Sequence, residues 1–139
     1  MPSQTAEYAL RAVLYLAERA NGSSANVEEI AAELHIPQNY LSKTLQQLAR
    51  AGVLVSSRGK KGGFALASAP DRITLLEVVQ PFDQIDGRSQ CLLGRPTCSD
   101  ARPCEAHARW KKVSEPLAEF FRETTFGDLL RSPAGRGST

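Results

Sequence analysis

The sequence predicts a mainly α-helical fold with a small β-hairpin wing: a winged helix-turn-helix domain followed by a long C-terminal dimerisation helix. Three observations predict it. Apolar residues recur at helical spacing in three successive segments before residue 52. Arg58-Gly59-Lys60-Lys61-Gly62-Gly63, a glycine-rich cationic tip, then separates two short β-prone runs. A final apolar stripe, spaced by three and four, runs from Trp110 to Phe121.

The first helix spans about residues 5 to 19, with Ala6, Leu10, Val13, Leu14 and Ala17 on one face. Asn21-Gly22-Ser23-Ser24 stops it. The second carries Val27, Ile30, Ala31 and Leu34, and Asn26 with Glu29 forms a capping-box pattern at its start. Pro37 disfavours helix at the residue before it and suits the opening of the next. The third helix runs from about Gln38 to Ala51 with Leu41, Leu45 and Leu48 inward, and Gly52 closes it. Two helices joined this tightly outline a helix-turn-helix. VLVSS (53–57) and FALA (64–67) are the strands of the wing. Residues 74 to 82 read as a short helix from Thr74. Residues 83 to 103 lack apolar periodicity, and helix returns from about Cys104, with Pro116 as a kink or a second start. The expected organisation is a DNA-binding domain over 1–70, a cysteine segment and dimerisation helix over 71–131, and a disordered tail over 132–139.

The chain has 139 residues, 42% of them apolar, enough for one compact domain or a small domain with an appendage. No apolar run approaches the ~20 residues of a membrane span. Glu7 and Arg11 make the N-terminal stretch an amphipathic helix and not a signal peptide, so a cytoplasmic protein is expected. The net charge is only +2, but Lys43, Arg50, Arg58, Lys60 and Lys61 lie between Glu33 and Asp71 with no intervening acid. That basic stretch suits a polyanion.

Against double-stranded DNA, the third helix is thin enough for the major groove, with the tip beside it. Gln38, Asn39, Ser42, Lys43 and Gln46 form its polar face, where Asn and Gln suit adenine and Lys suits guanine. Thr44 and Gln47 are further candidates. Tyr40 is a candidate phosphate contact or a packing residue; Lys60 and Lys61 are candidate phosphate contacts. Trp110, Val113, Leu117, Phe120 and Phe121 are the expected homodimer interface.

The three cysteines follow the spacing Cys91-x6-Cys98-x5-Cys104-x2-His107. Clustering and an odd count argue for a shared ligand rather than a disulfide framework. An iron–sulfur cluster, zinc and bare redox-active thiols all remain open from the spacing; the wide glycine- and proline-rich loop favours the bulky cluster. A redox or metal-handling enzyme is the competing class. The sequence contains no phosphate loop, nucleophile elbow or H-E-x-x-H, and no small-molecule substrate is expected.

EYALRAVLYLA (7–17), IPQNYLSKTLQQLARAGVLVSSRGKKGGFAL (36–66) and CLLGRPTCSDARPCEAHARW (91–110) together resemble the Rrf-two family of bacterial winged-helix regulators, the class of IscR, NsrR and RirA. The resemblance covers about residues 4 to 131. It implies a homodimeric transcription factor whose 2Fe–2S or 4Fe–4S cluster controls DNA binding in response to iron, redox state or nitric oxide. It carries the cluster ligands onto Cys91, Cys98 and Cys104. His107 matches the fourth ligand of the IscR branch, and Glu7 the carboxylate that NsrR-like members supply from the other subunit. Arg58 corresponds to the wing residue that enters the minor groove.

Overall fold

A computed structural model describes residues 3–19, 22–58, 62–83 and 107–132. Its order is α1 (Gln4–Ala17), α2 (Val27–Leu34), α3 (Gln38–Arg50), β1 (Leu54–Ser57), β2 (Gly63–Leu66), a 3-10 turn (Pro70–Arg72), α4 (Leu75–Val79), α5 (His107–Glu123) and α6 (Phe126–Arg131). Helix α1 is the hub: Ala6, Ala9, Ala12, Val13 and Leu16 are buried, and it packs on α2, α3, α4, α6 and β2. Three alanines on that face let neighbouring backbones approach closely.

Local chemistry sets most boundaries. Ser3 caps α1 through its hydroxyl, which accepts from the Ala6 N–H at 3.2 Å. The expected capping box at Asn26 and Glu29 is present in both directions. Gly52, with φ +86°, closes α3, and the Val53 N–H bonds back to the Leu48 carbonyl. Helix α4 is shorter than expected and ends at Val79, because Pro81 has no N–H to continue the ladder. Helix α5 runs through Pro116 as one helix. Helix α6 was not expected as a separate element. Thr125 and Asp128 form a reciprocal capping box at its start. The Thr125 backbone N–H, then its hydroxyl, hold the Asp128 carboxyl below the usual carboxylate range.

The turn between α2 and α3 contains His35 with φ +57°, the one non-glycine in the left-handed region among the described residues. A Cβ there costs roughly 1 kcal/mol that glycine avoids. His35→Gly is therefore expected to raise stability by up to about 1 kcal/mol, less what glycine regains in unfolded-state entropy. Urea denaturation measures it; a clear loss of stability would show that the imidazole makes a compensating contact.

Strands β1 and β2 pair antiparallel, Leu54 opposite Leu66 and Ser57 opposite Gly63. Ala25 adds a third rung on the far side of β2, exchanging backbone bonds of 3.0 and 2.8 Å with Phe64. The wing is thus fastened to the segment entering α2. One apolar core unites the described elements from Ala6 to Phe126, continuing across the expected boundary at residue 70. Backbone bonds from Leu75 to Thr124 and from Phe126 to Ile73 stitch α4 to the α5–α6 junction. No helix among the described residues is long and apolar enough to cross a membrane.

Candidate nucleic-acid interface

Leu41, Leu45 and Leu48 fix the roll of α3, since all three are fully buried. With 3.6 residues per turn, their burial turns the opposite face outward. Gln38, Asn39, Lys43 and Gln46 are exposed there and Ser42 is half-buried. Gln47 is exposed as well. Thr44 is not available to a groove: it is 1% exposed, and its hydroxyl donates to the Tyr40 carbonyl at 3.2 Å. It shares its side of the helix with Leu41 and Leu48, at spacings of three and four.

Tyr40 is 42% exposed, yet its hydroxyl lies 2.6 Å from the Thr5 hydroxyl and its ring meets Tyr8 edge-on. Both alternatives weighed for it thus have a physical basis here. Helix α2 is tied to α1 by Arg11, whose guanidinium donates to the Leu34 carbonyl at 2.7 Å and so satisfies a helix-end acceptor. Arg58 is exposed at the end of β1, and Lys60 and Lys61 lie outside the described residues.

The expected ligand residues divide in the same way. Cys91, Cys98 and Cys104 lie outside the described residues, and His107 is the first residue of α5. Glu7 is exposed on α1 and pairs loosely with Arg11 at 3.9 Å. Among the described residues no group of His, Cys, Asp and Glu side chains is arranged to hold a metal ion. Helix α4, which precedes the cysteine-bearing segment, packs on α5, which follows it. On the near side, the Asp83 carboxylate accepts from the Ser3 N–H at 2.7 Å.

The apolar stripe of α5 splits. Phe121 is 3% exposed and belongs to the chain's own core, against the expectation that it lies on the outer stripe. Adjacent helical positions are about 100° apart, so Phe120 and Phe121 cannot share a narrow face. Val113 at 60% and Phe120 at 51% face outward. Trp110 and Leu117 are half-buried between. The Trp110 indole N–H is buried with no acceptor among the described residues.

A recognition-type helix presenting amides and a lysine, beside a cationic hairpin, defines a winged-helix DNA-binding protein. The family model for Rrf2, described as iron-dependent transcriptional regulator, matches residues 2–132, and the chain belongs to that family. An HTH-type transcriptional regulator of Aquifex aeolicus is 37% identical over 130 residues, covering 92% of this chain and 90% of the relative. IscR of Vibrio atlanticus is 27% identical over 124 residues, 89% of this chain and 71% of its own. Among solved structures, CymR, the global cysteine regulator of B. subtilis, superposes with TM-score 0.76 at 24% identity, covering 93% and 95% of the two chains. T. potens IscR superposes with TM-score 0.75 at 21% identity, covering 100% and 93%. These two confirm the fold. The protein is a transcriptional regulator and not an enzyme.

Two features escaped the sequence reading. The Thr5–Tyr8–Tyr40 contact joins residues 35 apart and has no local pattern. The start of α6 did carry a signal, Thr125-x-x-Asp128, of the same kind as the one used at Asn26.

Proposed function

We propose that this chain is a homodimeric, sequence-specific DNA-binding regulator whose operator affinity is set by an iron–sulfur cluster. Cys91, Cys98 and Cys104 hold the cluster with His107, and Glu7 is the alternative fourth ligand. One observation supports linking sensor to reader: α4 and α5, which flank the cysteine segment, frame the core around α1, the helix that also packs on α3. The donor set suits the group. Three soft thiols and one imidazole favour iron–sulfur chemistry, and an unsatisfied buried donor at Trp110 follows His107 by one helical turn. When bound, such a cluster would supply an oxidant- and nitric-oxide-sensitive cross-link between the three thiols and His107 at the start of α5. Its state signals iron supply or redox poise.

In this reading Gln38, Asn39, Ser42, Lys43 and Gln46 read base edges in the major groove. Arg58 enters the minor groove, and Lys60 and Lys61 neutralise phosphates. Trp110, Val113, Leu117 and Phe120 repeat at 3-4-3 spacing and pack against their copies in a second chain, which aligns two reading helices over two half-sites.

The test begins with purification under nitrogen, assay of iron and acid-labile sulfide, and selection of bound fragments from genomic DNA. The expected protein is brown or red, with both elements in stoichiometric amounts, and its operator affinity changes when iron is removed. Cys98→Ala is expected to abolish the colour and that change together. Colourless protein containing zinc or bare thiols overturns the cluster while sparing the DNA reading. Failure to enrich any fragment overturns both.

A further inference from the structure

The geometry points to Tyr40 as a positioning residue that keys the reading end of α3 to the first turn of α1, the turn that Asp83 also holds. This deepens the DNA-binding reading above and rests on it, because it names what holds the base-reading side chains in place.

Helix α3 has no side-chain bond from its N-cap. That N-cap is Pro37, whose side chain offers no hydrogen bond to the first helical N–H groups; among them, the Tyr40 N–H is met by the Asn39 side-chain oxygen at 3.0 Å. A helix end with so few such partners frays more readily than a boxed one. That end carries Gln38, Asn39, Ser42 and Lys43, so fraying there blurs recognition. The substitute is tertiary. The Tyr40 hydroxyl lies 2.6 Å from the Thr5 hydroxyl, and its ring stands at 86° to Tyr8 with centroids 5.5 Å apart. Tyr8 is itself held, since its hydroxyl accepts from the Gln4 side-chain amide at 3.0 Å. An exposed tyrosine beside a groove-facing surface ordinarily offers its hydroxyl to phosphate. Here that hydroxyl is engaged with α1.

The other side of the same turn is fastened too. The Ser3 N–H donates to the Asp83 carboxylate at 2.7 Å. Asp83 is the last described residue before the segment that carries the cysteines. The cap and first turn of α1, residues 3 to 8, therefore meet both Asp83 and the start of α3.

Thr5→Val tests this without touching Tyr40. It removes one hydroxyl and keeps the volume. The Leu41 N–H, bonded to the Pro37 carbonyl at 3.0 Å, reports the first turn of α3. Its hydrogen exchange is expected to quicken about fivefold in Thr5→Val, the equivalent of one neutral hydrogen bond, while Leu48 is unchanged. Affinity for the selected operator is expected to fall by a similar factor, with non-specific affinity and the salt slope unchanged; Thr5→Ser restores both exchange and affinity. Asp83→Ala is expected to act in the same direction, and the double variant to lose less than the sum. Wild-type Leu41 exchange in Thr5→Val overturns the proposal. So does a salt slope reduced by about one, which assigns the hydroxyl pair to a phosphate. Additive losses overturn the role of Asp83. The exchange measurement uses metal-free protein without DNA, so it decides this point even where the iron assay or the fragment selection fails.

Discussion

Phe126→Ala is expected to cost about 3–5 kcal/mol, a large part of the roughly 5–15 kcal/mol that holds an ordinary domain together. Among the described residues Phe126 is the largest of the fully buried side chains, and it opens α6. Its N–H bonds to the Ile73 carbonyl at 3.0 Å, so removing the ring also leaves that junction against a void. The cavity borders the core shared with α1, because α6 packs directly on that helix. The variant is therefore expected to unfold in urea as one transition at lower denaturant. Far-UV circular dichroism reports all the helices, and fluorescence of Trp110, the chain's single tryptophan, reports α5. Coincident curves are expected. An early fluorescence transition with most helicity surviving to the wild-type midpoint would show that residues 1–70 fold as an independent domain, contrary to the continuity of the core.

Gly63→Ala is expected to detach the wing. A Cβ at this position overlaps the Ala25 carbonyl oxygen and would lie 2.6 Å from its carbon and 2.9 Å from the Asn26 nitrogen. These are backbone atoms at the entry to α2 and cannot swing aside as a side-chain tip would. Relief requires β2 to draw away from Ala25, which stretches the two Ala25–Phe64 bonds. Overpacking of this kind costs roughly 1–3 kcal/mol. The functional loss follows, because Arg58 and the cationic tip are placed through β1 and β2. Operator affinity is expected to fall at least tenfold with α3 intact by hydrogen exchange. Unchanged affinity in Gly63→Ala would mean that the wing's anchorage is irrelevant to DNA binding.

Sequence reading succeeds where the signal is local, which neither of these two sites is. Leu41, Leu45 and Leu48 specify both the existence of α3 and which side faces out, because a helix has one period and a buried stripe leaves one orientation. The Asn26–Glu29 box and Gly52 were legible for a related reason: each acts over three or four residues, within reach of a local pattern. Thr44 and Phe121 were misplaced because type and spacing alone do not fix the angle at the edge of a stripe. Thr44 is polar but sits on the core side, and Phe121 is apolar but faces inward beside an outward Phe120. Deciding such edge positions requires the neighbouring helices.

The amino-acid order alone therefore determined the helix-turn-helix, the hairpin and the polar outer face of α3. Those depend on short-range periodicity and on residue chemistry. Only the three-dimensional packing decided that Ala25 completes the wing, that α6 returns to the hub helix, and that Tyr40 leans on Thr5 and Tyr8. The reason is physical: such contacts join residues tens of positions apart, and their partners meet only after the core has closed around α1.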